Sequence, residues 1–174
     1  VRNTIVFAIC AVTVQMILGF SMALAAQRAS GISRAVLTGI FLLPIVIPPI
    51  VIGAMWRLLM GREFGPINSL IKSLGFRPID FLGNPDIALS SVIIVDIWHW
   101  TPFVFLLLLT GLESLDQEVV EAARCDVKSR WQELRYITIP LMLPTILITL
   151  ALRLVLSFKV FDEVFLLTEG GPGT

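Results

Sequence analysis

A chain of 174 residues that is 56% apolar and only 15% charged, with a mean hydropathy of +0.90, falls well outside the range of ordinary soluble domains and reads as an integral membrane protein. Thirteen basic and thirteen acidic side chains cancel, which excludes a nucleic-acid footprint and a polybasic lipid-binding tail. The two cysteines, Cys10 in an apolar run and Cys125 in a charged one, exclude a disulfide framework, a metal site and redox chemistry.

The chain opens at Val1 on the edge of an apolar run, without an initiator methionine or a signal peptide, and is expected to be a fragment. Residues 4–26 carry no charge and are long enough to cross a hydrocarbon core of about 30 Å as a helix. A second span is predicted over 35–56. It contains Pro44, Pro48 and Pro49, each lacking a backbone donor and crowding the preceding turn, so this helix should kink or partly unwind. Next, in "FGPINSLIKSLG", Ile67, Leu70, Ile71 and Leu74 recur at helical spacing and Gly75 supplies a stop. That short helix suits the membrane interface or the mouth of a bundle equally. A third span is predicted over 87–109, interrupted by Asp96 and His99, and a fourth over 137–160, carrying Arg153 and Lys159. These continuous runs lack the alternation of lipid-facing strands, so the fold class is all-α, a polytopic transmembrane helical bundle with four spans in a single domain.

The loop 110–136 holds the densest charge in the chain. A capping box from Ser114 to Gln117 predicts a helix through "DQEVVEAAR", with Leu115, Val119 and Ala122 on one face and acidic residues in its first turn. Spacing alone favours a solvated connecting helix. Arg28, Arg34, Arg124, Lys128, Arg130 and Arg135 stand on this side, against Arg62, Lys72 and Arg77 with Arg2 and Arg57 on the other. The excess places the loop in the cytoplasm by a weak bias.

Glu121-Ala122-Ala123, a turn position at Val127, and Ile137-Thr138-Ile139-Pro140 resemble the EAA signature of ABC-importer membrane subunits. The usual form has glycine at the turn and leucine before the proline. Here Val127 replaces the glycine, and a β-branched residue resists the positive φ that glycine would permit. "FDEVFLLTEGGPGT", residues 161–174, resembles the segment after this signature in sugar permeases of the maltose and glycerol-phosphate type, in particular the subunit bearing LTxGGPG. "LPIVIPPIVIGAMWRLL", "FGPINSLI" and "WHWTPF" extend the likeness over residues 17–174. The resemblance implies the core of a type I importer permease, lacking one span on either side, in a bacterial or archaeal plasma (inner) membrane. It implies a coupling helix, comprising Glu121, Ala122, Ala123, Asp126, Val127 and Pro140, that docks on a cytoplasmic ATP-binding subunit dimer. A second EAA-type permease subunit and an extracytoplasmic solute-binding protein complete the assembly. The chain would have no cofactor of its own, ATP and Mg being held by the ATPase.

Ionisable residues inside spans are costly and are treated as functional or paired. Asp96 and His99, three apart, share a helix face and could bond one another. With Trp98 or Trp100 they could line a solute path, or form a structural polar pair. Arg153, Ser157 and Phe161 form a stripe on the fourth span, Lys159 and Asp162 stand three apart, and Gln15 is read as glue between helices. The path candidates are therefore Asp96, His99, Trp100, Arg153 and Ser157.

The leading functional reading is a translocation subunit carrying a sugar, polyol or glycerol-phosphate solute, without enzymatic activity. The two Lys-Ser pairs, Lys72-Ser73 and Lys128-Ser129, follow Ile71 and Val127 where a phosphate-binding loop needs glycine, so another polypeptide must hydrolyse ATP. The alternative is a gradient-driven transporter or channel using Asp96, His99 and Arg153, which leaves the charged loop unexplained. An intramembrane enzyme is disfavoured, because HExxH, GxSxG and paired aspartates are absent from the sequence.

Overall fold

A computed structural model describes residues 2–124, 127, 129–158 and 167, apart from the side chains at 33, 37, 117, 119, 123 and 124. The regular structure among the described residues is helical. Helix α1 (Arg2–Arg28) is apolar on every side, so its packing face is selected by size. Ala8, Ala11, Gln15, Gly19, Ala23 and Ala26 recur every three or four residues and are buried, while Ile5, Ile9 and Ile17 face outward. The small stripe lets α5 (Pro85–Glu113) approach closely. At Gly19 an added Cβ would lie 2.7 Å from Val104 Cγ1 and 3.0 Å from the Phe105 amide nitrogen, so this crossing requires glycine.

Two apolar clusters form along this pair. Ala23, Ala26, Val104, Phe105, Leu108 and Met142 build one, with Phe41 edge-on to Phe105 at 6.0 Å. Phe7, Ile52, Met60, Val92, Val95 and Leu167 build the other. Gln15 falls between Phe7 and Ala23 on α1, about 12 Å along the axis from each, and this intermediate level carries the polar groups described below.

The expected break in the second span occurs at Ile47-Pro48, where α2 (Gly31–Val46) gives way to α3 (Pro49–Leu59) at an angle of 95° between residues 34–46 and 49–59. Pro48 and Pro49 cannot donate to a preceding turn but fit the start of a new one, and the Val51 and Ile52 amides bond Pro48 O. Helices α1, α5 and the continuous run Arg130–Ser157 are each long and apolar enough to cross a membrane, and α2 with α3 adds a fourth crossing when the bent pair is taken as one.

The short helix α4 (Pro66–Ser73) ends in a Schellman motif: Gly75 has φ +84°, its amide bonds Lys72 O, and the Phe76 amide bonds Ile71 O. Asn68, fully buried, donates to Gly61 O and Ile79 O and accepts from the Ile79 amide, tying α4 to both flanking loops. Leu70 and Leu74 stay exposed. Replacing Asn68 with alanine is expected to cost about 1–3 kcal/mol by orphaning these backbone groups. Hydrogen exchange should speed up at Ile79 and leave the α5 amides unchanged; protection retained at Ile79 would contradict the assignment.

Ser114 does not begin the next helix, as its spacing to Gln117 suggested. It terminates α5, its hydroxyl donating back to Gly111 O, and Asp116 caps α6 (Gln117–Arg124) by accepting from the Glu118 amide. A carboxylate two residues before a free amide outcompetes a hydroxyl already held by a closer carbonyl. The buried residue of α6 is Val120, and Ala122 is exposed.

Helix α7 (Arg130–Glu133), capped by the Ser129 hydroxyl, runs into α8 (Ile139–Ser157) through a π turn, Leu134–Thr138. The Ile139 amide bonds Leu134 O, five residues back. Pro140, at the start of α8, has no N–H and would crowd the Tyr136 carbonyl in a tight α turn. Widening the turn relieves that conflict.

Candidate functional site

At the level between the two apolar clusters, three helices each contribute one strongly polar group. Arg153 from α8 donates from Nη2 to Asp96 Oδ2 at 2.5 Å and from Nε to Gln15 Oε1 at 2.7 Å. Gln15 Nε2 donates in turn to Asp96 Oδ2 at 2.7 Å and to the Asp96 carbonyl at 3.0 Å. All three side chains are fully buried. Trp100, one turn beyond Asp96 on the same face, lies against the guanidinium with its ring centroid 5.0 Å from Cζ. The carboxylate therefore meets the cation at its edge while an aromatic face covers it. In a low-dielectric setting such a pair is held by mutual attraction and completed hydrogen bonds, and either charge alone is expensive.

Sequence spacing paired Asp96 with His99; the fold instead joins Asp96 to Arg153 and Gln15. His99 is buried beside Trp100, ring centroids 5.0 Å apart. Ser157 is buried and donates to Leu154 O, within its own helix. Trp98 faces away from this group, 36% exposed, and stacks edge-on with Trp56 at 5.5 Å. The indole nitrogens of Trp56 and Trp100 have no hydrogen-bond partner among the described residues. Phe161, Lys159 and Asp162 lie outside the described residues, as does the "GGPG" segment. The bridging role of Gln15 had a visible signal: a lone amide in an uncharged span must find a polar partner.

At one end of the bundle α6 presents Glu118, Glu121 and Ala122 to solvent and anchors itself through Val120. Ala123 continues the helix, Val127 is half-buried, Asp126 lies outside the described residues, and Pro140 stands exposed at the head of α8. Arg34 of α2 forms an ion pair with Glu113 of α5 beside this end.

A bundle of helices long enough to span a membrane, cross-linked by a buried ion pair and bearing a short solvent-facing helix between two spans, defines a polytopic membrane component built around a polar loop. The chain belongs to the family of binding-protein-dependent transport system inner membrane components, whose model matches residues 15–173. It is 38% identical over 171 residues to the trehalose/maltose transport system permease protein MalF of Thermococcus litoralis, covering 98% of this chain and 57% of that one. It is 40% identical to the probable ABC transporter permease protein y4oQ of Sinorhizobium fredii, covering 99% and 55%. The chain thus spans somewhat over half the length of these relatives. In fold it matches a bacterial ABC transporter involved in the import of the acidic polysaccharide alginate, with a TM-score of 0.86 over 98% of this chain and 60% of that one, at 23% identity.

Proposed function

We propose that this chain is the core of a permease subunit of an ATP-driven importer, forming half of the translocation path for a sugar or a related polyol or glycerol-phosphate solute. The observation that carries the reading is α6: a short acidic-headed helix, exposed along Glu118, Glu121 and Ala122, within the stretch that bears the EAA signature and inside the region matched by the family. In this reading α6, with Asp126 and Val127, docks on a cytoplasmic ATPase that binds ATP and Mg and performs all the hydrolysis. A second permease subunit supplies the other half of the path, and an extracytoplasmic binding protein delivers the solute. The permease relatives, one of them named for trehalose and maltose, support the solute class.

The helical run Arg130–Ser157 is continuous from the docking loop to Arg153. A displacement of α6 therefore reaches Arg153 along one element, and from there α5 and α1 through Asp96 and Gln15. Asp96 and Arg153 act here as a latch that fixes the relative position of three helices. Their charged atoms, with His99 and Ser157, are closed off in this state, and they meet solute only when the latch opens. Trp100, half-buried, keeps part of its ring accessible.

The test is co-purification from membranes expressing the full-length parent. Wild type should bring down a nucleotide-binding subunit and a second EAA-bearing permease. Glu121→Lys should retain the permease and lose the ATPase about tenfold, the equivalent of about 1.4 kcal/mol at a docking interface. If no nucleotide-binding protein accompanies wild type, and uptake collapses with the proton gradient instead of with ATP, the importer reading fails.

A further inference from the structure

Beside α6, where α1 and α5 end and α2 begins, lies a cavity of about 790 Å³. Arg28, Arg34 and Arg130 line it against Glu113 and Glu133, three cations to two anions. Arg34 is already committed to Glu113. Arg28 and Arg130, more than a hundred positions apart in sequence, are brought to the same cavity and are without an ion-pair partner among the described residues. The floor is apolar, formed by Leu24 and Leu134, at the level where the uncharged run of α1 gives out. A second observation comes from the same short segment: Trp131 and Tyr136 flank Leu134 and are 67% and 68% exposed. Large amphipathic rings left outside a helical bundle at the end of a span belong at headgroup depth.

The geometry points to a binding site for the phosphate headgroup of an anionic phospholipid. Two guanidinium groups from different elements can grip phosphate oxygens in the forked geometry that arginine favours, and the cytoplasmic leaflet attracts such cations. A soluble anion would gain nothing from the leucine floor or the two exposed rings, whereas a lipid places its glycerol and first acyl carbons there. The site rests only on the chain crossing a membrane, so it stands or falls separately from the importer reading.

The experiment uses the full-length parent with its co-purifying partners, extracted in mild detergent, and measures bound phosphatidylglycerol by native mass spectrometry. Wild type should retain the lipid. Arg28→Ala/Arg130→Ala should reduce retention about tenfold, as expected for the loss of two charge-assisted contacts, while Lys72→Ala/Arg77→Ala, which removes two cations from the other end, leaves it unchanged. Equal retention in the two variants would overturn the site. Displacement of the lipid by millimolar inorganic phosphate would reassign it to a soluble anion and overturn the lipid claim. Loss of the partner proteins with lipid retained would make the cavity a protein contact and likewise overturn it. If the double variant fails to assemble, spin-labelled lipids decide the matter with wild type in bilayers: a larger immobilised fraction for phosphatidylglycerol than for phosphatidylcholine supports the site, and equal fractions reject it.

Discussion

Arg153→Met is expected to destabilise the protein by about 3–5 kcal/mol, the range found when one partner of a buried ion pair is removed and the other charge is left without compensation. The loss should be read as a sharp fall in the yield of folded protein extracted from the membrane and in its thermal midpoint. Three contacts go at once: Nη2 to Asp96, Nε to Gln15, and the guanidinium against the Trp100 ring. Asp96→Leu should be similarly damaging, because it strands the cation and removes one acceptor of Gln15 Nε2. The informative variant combines the two. With both charges replaced by apolar groups of similar size, most of the stability should return, since desolvation of either ion is no longer required. A double-mutant cycle showing strong positive coupling, with transport still impaired in the stable double variant, would establish a latch that matters for movement as well as for folding. If the double variant were as unstable as the sum of the singles, the pair would not be acting as a unit.

The second large effect is expected at Gly19. Even alanine would place its Cβ 2.7 Å from Val104 Cγ1 and 3.0 Å from the Phe105 amide nitrogen. The first neighbour is a fully buried β-branched side chain with little rotamer freedom in a helix, and the second is backbone. Neither can step aside without parting α1 from α5, so Gly19→Ala should cost about 1–3 kcal/mol by overpacking. Gly111 is the contrast. Its Cβ would meet the Thr145 methyl at 2.6 Å and Met142 Cε at 3.0 Å. Both are side-chain ends and one is flexible, so Gly111→Ala should be the milder change. Adding Val104→Ala to Gly19→Ala should recover part of the loss by removing the 2.7 Å contact. Thermal stability in detergent of the three variants gives the comparison, and a Gly19→Ala protein as stable as wild type would show that the α1–α5 crossing is looser than described.

Much of the chain's local architecture is legible in its residues. The uncharged runs mark long apolar helices because a backbone in hydrocarbon must satisfy its own hydrogen bonds. The Pro44, Pro48 and Pro49 set predicts the break that occurs at Ile47-Pro48, because the missing donors act on the turn that contains them. Gly75 ends α4 through a left-handed residue, again a one-turn effect. Family membership is equally local in origin, since the EAA stretch and the proline-rich run are contiguous strings. Less was legible where two local signals competed: Ser114 and Asp116 both qualify as caps, and the choice went to Asp116 because the Ser114 hydroxyl is occupied by Gly111 O.

What residue order alone determined is therefore the class of protein, the places where its helices start, break and stop, and the presence of costly polar groups inside its spans. Which groups those residues meet was decided by the tertiary structure. Asp96 bonds partners 81 and 57 positions away, and Gln15 reaches Arg153 across 138. Helical periodicity reports only neighbours within a turn or two on the same element, so it offered His99 as the partner of Asp96. The pairing across helices follows instead from the small-residue stripe of α1, which brings three backbones close enough for one guanidinium to serve both a carboxylate and an amide.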